Sequence, residues 1–232
     1  GLRHFLSHTR AQEQSADQFA LTLLSRREVS ARGLLNFLQK FEDQDLLSDA
    51  RQDPYLRTHP LTRDRLAFVK NHVEKSPWSE TVPDALDLRL HARMRAKLVG
   101  FLDHPDRVFQ LYPMEDQSTS ARYARAIAHF KAFDLDLAII EIDALIADNP
   151  TDPYFRELKG QILFENGRLL EAWPHYEAAN QLLPDDPLLM LELARLEIEI
   201  GTPEYVSRSV KTLEQVVRSE EDNNIAWWLL SI

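Results

Sequence analysis

Apolar residues recur every three to four positions over most of this chain, the spacing that places them on one face of an α-helix. Before residue 118 the pattern covers four segments, residues 11–27, 31–44, 61–75 and 84–104. A polar stretch, residues 45–60, separates the second segment from the third, and its prolines indicate an exposed loop. No alternating β-branched run is long enough to indicate a strand. The pattern therefore predicts an all-α fold.

From residue 118 onward, residues of similar type recur at a fixed separation of 34 positions. The matching sets are Ala126, Gly160 and Ala194; Ala138 and Ala172; Ile142 and Tyr176; and Pro150 and Pro184. Small residues allow two antiparallel helices to approach closely. The period therefore predicts a stack of helix pairs in which the small residue on the first helix faces the alanine on the second.

This period and its small residues resemble the tetratricopeptide repeat. Residues 153–186 match that repeat best, with residues of the expected type at every characteristic position. These residues are Gly160, Gly167 in the turn, Ala172, Tyr176, Ala179 and Pro184. Residues 119–152 form a degenerate copy that keeps Ala126 and Ala138 but has Phe133 where the turn glycine is expected.

The remaining repeats depart further from the pattern. Residues 187–223 keep Ala194 and Gly201, but they need about three extra residues near position 204 to return to register. We expect that insertion to lengthen the turn between the two helices. A fourth unit begins at residue 224, with Trp227 at the aromatic position.

Stacked repeats of this kind form a groove that binds peptides or protein surfaces, so we expect the region to recruit protein partners. A rigid spacer is the alternative. Residues 118–232 hold 10 basic and 20 acidic side chains, whereas residues 1–117 hold 17 of each. The acidic charge argues against nucleic acid and favours basic protein segments, although solubility alone would also explain it.

Composition removes several other classes of function. The chain has no cysteine, which excludes disulfides and thiolate metal sites. No apolar stretch approaches the length needed to cross a bilayer.

Two features before residue 118 could carry chemistry. Glu13 and Asp17 are four residues apart, which places both carboxylates on one helical face. His59 precedes a proline and a predicted helix that carries Arg65. Taken singly, such a carboxylate pair is usually solvated and such a histidine is usually structural.

In this order and spacing, the four residues resemble the zinc metallopeptidases related to the CAAX prenyl protease and HtpX, including periplasmic enzymes of the BepA type. The resemblance covers residues 10–75, and BepA-type members also carry repeats after the protease domain. It implies that Glu13 is the third zinc ligand and that Asp17 orients the ligand set. It also implies that His59 is a loop histidine near the metal and that Arg65 is the arginine following it.

In that family an H-E-x-x-H helix supplies two further zinc ligands and the general base. None of the eight histidines here is followed by glutamate. We therefore expect a catalytically incomplete C-terminal fragment of a zinc-dependent endopeptidase, with zinc in the whole protein and none bound by this chain. The alternative is a non-enzymatic repeat adaptor.

The resemblance also sets the expected organisation and location. It divides the chain into peptidase helices (1–80), a linking helix and loop (81–117) and repeats (118–232). It implies the periplasm or cell envelope of a Gram-negative bacterium, with the cytoplasm left open. Uncovered repeat ends predict self-association.

Overall fold

The computed structural model describes residues 2–41 and 63–232, with side chains from residue 11 onward. In these residues the chain forms helices joined by turns and contains no strand, which confirms the all-α prediction. None of the described helices is long and apolar enough to cross a membrane. The predicted loop at 45–60, including His59, lies outside the described residues. The helices are α1 (Leu2–Arg26), α2 (Arg32–Gln39), α3 (Arg63–Lys75), α4 (Ala85–Leu102), α5 (Pro105–Leu111), α6 (Thr119–Lys131), α7 (Leu135–Asp148), α8 (Pro153–Glu165), α9 (Leu169–Leu182), α10 (Pro187–Ile200), α11 (Pro203–Ser219) and α12 (Asn224–Leu230).

The chain divides into two compact units, Gly1–Leu88 and Arg89–Ile232. In the first unit, α1, α2 and α3 pack around a small core that includes Leu21, Leu35 and Val69. A hydrogen bond from Ser30 Oγ to the Ser79 carbonyl (2.7 Å) fixes the turn after α3 against the start of α2. The first unit is therefore a helical layer that holds α3 against α1.

In the second unit, helices follow one another as antiparallel pairs, α6 with α7, α8 with α9 and α10 with α11. The buried clusters overlap along the stack, since α6, α7 and α8 share one cluster and α8, α9 and α10 share the next. Each pair therefore completes the core of its neighbour, as stacked repeats require. Ala126, Ala138, Gly160, Ala172, Ala179 and Ala194 are all buried.

The turns inside the three pairs share one backbone conformation at positions 34 residues apart. Gly167 and Gly201 have φ values of 74° and 72°, and Phe133 has φ 60°. A left-handed conformation costs a non-glycine residue about 1 kcal/mol, which explains why glycine is the usual residue there. The side chain of Phe133 is 94% exposed. The degenerate first repeat therefore keeps the turn geometry without the glycine.

The expected lengthening of the turn in the third pair was wrong. Only Gly201 and Thr202 separate α10 from α11, whereas three residues separate the helices of the second pair. The extra residues lie in α11, which has 17 residues against 14 in α9. Proline suits the first position of a helix, so Pro203 starts α11 immediately after the turn.

We expected the small residue on the first helix to face the alanine on the second, but at Gly160 the nearest side chain is that of Tyr176. A Cβ atom added to Gly160 would lie 2.8 Å from the ring of Tyr176, which is 1% exposed. In the first repeat the corresponding residues are Ala126 and Ile142, both fully buried. The larger aromatic ring thus accompanies the smaller residue on the facing helix.

We therefore expect Gly160→Ala to lower the free energy of unfolding by about 1–2 kcal/mol, because overpacking outweighs the gain in helix propensity. The double variant Gly160→Ala with Tyr176→Ile recreates the pair of the first repeat. It should lose less stability than the sum of the two single variants. Urea unfolding followed by circular dichroism measures all three. Gly33→Ala is the matched control, since nothing lies within 4 Å of the added Cβ, and it should not destabilise.

We expect His175 to make the stability of the repeat stack depend on pH. Burial, helped by the nearby Lys159 ammonium, lowers the pKa of this half-buried histidine from 6.5 to about 4. Because the pKa of His175 is lower in the folded state than in the unfolded state, its contribution to the free energy of unfolding is complete above pH 6.5. This contribution declines as the pH falls from 6.5 towards 4.

We expect His175→Gln to reduce the difference in unfolding midpoint between pH 7.5 and pH 5, measured in urea. The exposed His91 offers a control, because His91→Gln should leave that difference unchanged. An equal effect of the two substitutions would contradict this account of His175.

Candidate functional site

Two carboxylates on α1 meet one guanidinium on α3. Arg65 Nε donates to Asp17 Oδ2 at 2.7 Å, and Arg65 Nη2 donates to Asp17 Oδ1 at 2.9 Å. Glu13 Oε2 lies 3.1 Å from Arg65 Nη1. The structure therefore brings together three of the four residues singled out in the sequence, and the fourth, His59, lies outside the described residues.

Local sequence explains this arrangement. The four-residue spacing places Glu13 and Asp17 one turn apart on the same face of α1. Arg65 is the third residue of α3, and Val69 and Val73, one and two turns later, pack into the core of the first unit. The core therefore holds the start of α3 beside α1. The planar guanidinium can then engage one carboxylate with two parallel hydrogen bonds.

The site is shielded from solvent. The side chains of Arg65, Asp17 and Glu13 are 8%, 7% and 17% exposed. Removing charged groups from water is expensive unless opposite charges and hydrogen bonds compensate. The Arg65 guanidinium supplies such compensation to both carboxylates.

Glu13 has the chemistry of a zinc ligand, since carboxylate oxygens coordinate zinc alongside histidine nitrogens. Asp17 contacts Arg65 through both oxygens and so suits a supporting role, in which it fixes the arginine that contacts Glu13. Among residues that the structure describes, no group of three or more histidine, aspartate or glutamate side chains could hold a metal ion. The described residues therefore fit one ligand of such a site.

A second arrangement of charged groups lies on the repeats, where α4 crosses the first helices α6 and α8. Arg93 on α4 forms a two-point ion pair with Asp152, including Nη2 to Oδ1 at 2.7 Å. Its guanidinium lies 4.3 Å from the centre of the Phe155 ring and 5.4 Å from that of Tyr154. Arginine between aromatic faces and a carboxylate is a strong anchor.

Further contacts continue the packing of α4 against the repeats. Lys97 Nζ lies 3.6 Å from Glu157 Oε2. A Cβ added to Gly100 would lie 3.0 Å from the Ile127 side chain, so the backbones approach closely. Lys131 Nζ donates to the Phe101 carbonyl at 2.6 Å, at the end of α4. These residues were not singled out in the sequence, although basic residues at 89, 93 and 97 share one helical face.

Comparisons with known proteins find one family in the first part of the chain and another in the repeats. Residues 3–73 match peptidase family M48, and residues 119–187 match the tetratricopeptide repeat. The first match contains Glu13, Asp17 and Arg65, and the second contains the first two helix pairs.

Two curated relatives match nearly the whole chain, and a third matches part of it. The β-barrel assembly-enhancing proteases of Escherichia coli K12 and Yersinia pestis are each 25% identical over 97% of this chain. A putative β-barrel assembly-enhancing protease of Vibrio cholerae is 22% identical over 65% of it. The chain spans 46% of the length of the first two relatives and 32% of the third. The chain thus resembles the M48 peptidase family in residues 3–73 and the tetratricopeptide repeat in residues 119–187.

Proposed function

We propose that the whole protein is a zinc-dependent endopeptidase of the Gram-negative cell envelope, in which Glu13 is a zinc ligand and the repeats bind protein partners or substrates. The observation that carries this proposal is the buried set of Glu13, Asp17 and Arg65 within the M48 match. The relatives support the same proposal, since they are β-barrel assembly-enhancing proteases. We extend that role to this protein.

In this proposal each residue of the site has a distinct task. Glu13 donates a carboxylate oxygen to the metal, and Asp17 is a positioning residue that acts through Arg65. His59 would approach the metal from its loop. Bound zinc supplies a water of lowered pKa and polarises the peptide carbonyl. Because this chain contains no H-E-x-x-H motif, the general base and the two histidine ligands would have to come from elsewhere in the whole protein.

A non-enzymatic adaptor is the second candidate, favoured by the long stack of helix pairs. The two candidates share the repeats and differ in the first unit. An adaptor would need the pair of Asp17 and Arg65 only for stability and would have no use for zinc at Glu13.

Substitution of Glu13 separates these candidates in the whole protein. We expect Glu13→Gln to reduce bound zinc and casein cleavage together, because the neutral amide is a poor ligand. Zinc content by mass spectrometry and casein hydrolysis measure the two losses. Glu74→Gln changes an exposed carboxylate of α3 and should affect neither. Wild-type protein without zinc or activity would refute the peptidase.

Breaking the buried pair should cost stability in addition. We expect Asp17→Asn to lower the free energy of unfolding by about 2–3 kcal/mol, because it leaves Arg65 with a weaker partner away from water. The exposed pair of Glu214 and Arg218, at 3.2 Å, provides the control. Glu214→Gln should change stability by less than about 0.5 kcal/mol. Equal losses in urea unfolding would show that the Asp17 pair is not effectively buried.

A further inference from the structure

One helix of this protein already occupies part of the surface formed by the first helices of the repeats. On that surface, α4 presents Arg93 to Asp152 and Lys97 to Glu157. It also presents Gly100 to the apolar Ile127 side chain. The contacts show what this surface accepts from a helix, namely basic side chains on its carboxylates and a close apolar approach beside them.

The next repeat offers similar positions further along. In the 34-residue register, Asp186 corresponds to Asp152 and Leu188 corresponds to Tyr154. Asp152 and Asp186 perform the same local task, since each accepts a hydrogen bond from a backbone amide at the start of its helix. We call Asp186, Leu188 and Glu192 the α10 seat.

Among the described residues, no helix covers the α10 seat as α4 covers Asp152 and Glu157 of the preceding repeat. Leu188 is 71% exposed. Within residues 11–41 and 63–232, no lysine or arginine forms an ion pair with Asp186. In the part of the chain that the structure describes, the one ion pair of Glu192 is with the exposed Arg195 of its own helix, at 3.9 Å. Arg93 and Lys97 therefore have no counterpart at the α10 seat among the described residues.

Charge favours a basic occupant. Glu157 of α8 has a raised pKa because burial disfavours its charged form. The nearby Lys97 lowers this pKa, whereas Glu192 and Asp186 raise it further. Residues 118–232 as a whole carry 20 acidic against 10 basic side chains. Additional positive charge on this surface would relieve the repulsion between these carboxylates.

We propose that the α10 seat binds a helical segment of a partner protein, which places arginine or lysine on Asp186 and Glu192 and an apolar side chain on Leu188. The proposal rests on the proposed role of the repeats in binding protein. It assigns that role to particular residues and gives the partner its chemistry, that of a basic amphipathic helix laid beside α4.

A labelled peptide of the α4 sequence, residues 85–102, is the probe, because it has the required chemistry. Fluorescence anisotropy with the whole protein at low salt should show binding. Asp186→Asn with Glu192→Gln should weaken that binding about tenfold, and Leu188→Ala should weaken it several-fold. Asparagine also caps helices well, so Asp186→Asn should preserve the melting temperature. A peptide with Arg93 and Lys97 replaced by glutamine should bind about tenfold more weakly.

Matched controls lie away from the seat. Asp134→Asn alters the residue that caps α7, and Leu170→Ala truncates a side chain that is 67% exposed on α9. Both variants should bind the probe as the wild type does. Equal weakening by these controls would overturn the proposal, as would failure of the probe to bind or equal binding of the glutamine peptide.

The experiment also distinguishes two other cases, displacement of α4 by the probe and binding of a second copy of this chain. Weakening by Asp152→Asn but not by Asp186→Asn would show that the probe exchanges with α4, which overturns the proposal. Loss of self-association in Asp186→Asn, measured by sedimentation, would assign the seat to a second copy of this chain and overturn it equally. Zinc content and casein cleavage do not depend on these variants, so failure of the peptidase is recognised separately.

Discussion

The repeat stack depends on how closely two antiparallel helices can approach. At position 160 an added Cβ would lie 2.8 Å from the Tyr176 ring, and in the first repeat Ala126 shares a buried cluster with the smaller Ile142. Small residues let the paired helices lie close together, and the buried clusters shared between pairs extend this packing along the stack. The surface that the first helices present is therefore fixed by residues inside the stack.

In the first unit, the packing of α1 against α3 depends on the pairing of charges rather than on the size of side chains. Arg65 contacts two carboxylates that are one turn apart, and the apolar residues that follow it on α3 keep it from water. One arginine thus joins both carboxylates of α1 to α3 in a site shielded from water. The same three side chains stabilise the fold and, in the proposed peptidase, would position Glu13 for coordination.

The sequence alone predicted the fold class and the repeats because both follow from spacing. Glycine or an exposed residue with positive φ returns at the same turn every 34 positions, and small residues return at the helix contact. Spacing also placed Glu13 and Asp17 on one face. It could not identify their partner, because Arg65 is 48 residues from Asp17, and only the family resemblance pointed to it.

The spacing of residues could not predict other features of the structure. An insertion shows where residues are added but not whether a turn or a helix absorbs them, and here Pro203 begins the helix at once. Arg93 was missed because a basic residue on a helix is usually solvated, whereas this one lies between Asp152 and two aromatic rings. The roles of Glu13 and His59 at zinc remain predictions.

Asp152 has two tasks, because it caps α8 and also holds α4 against the repeats. Its Oδ1 atom accepts the Tyr154 amide at the start of α8 and also receives Arg93 from α4. The first turn of α8 and the seating of α4 are thus coupled through one carboxylate. Because each repeat otherwise contacts only its neighbours, α4 adds a contact that spans two successive repeats, through Ile127 of α6 and Asp152 of α8. Release of Arg93 should accordingly speed amide hydrogen exchange in the first turn of α8 as well as in α4.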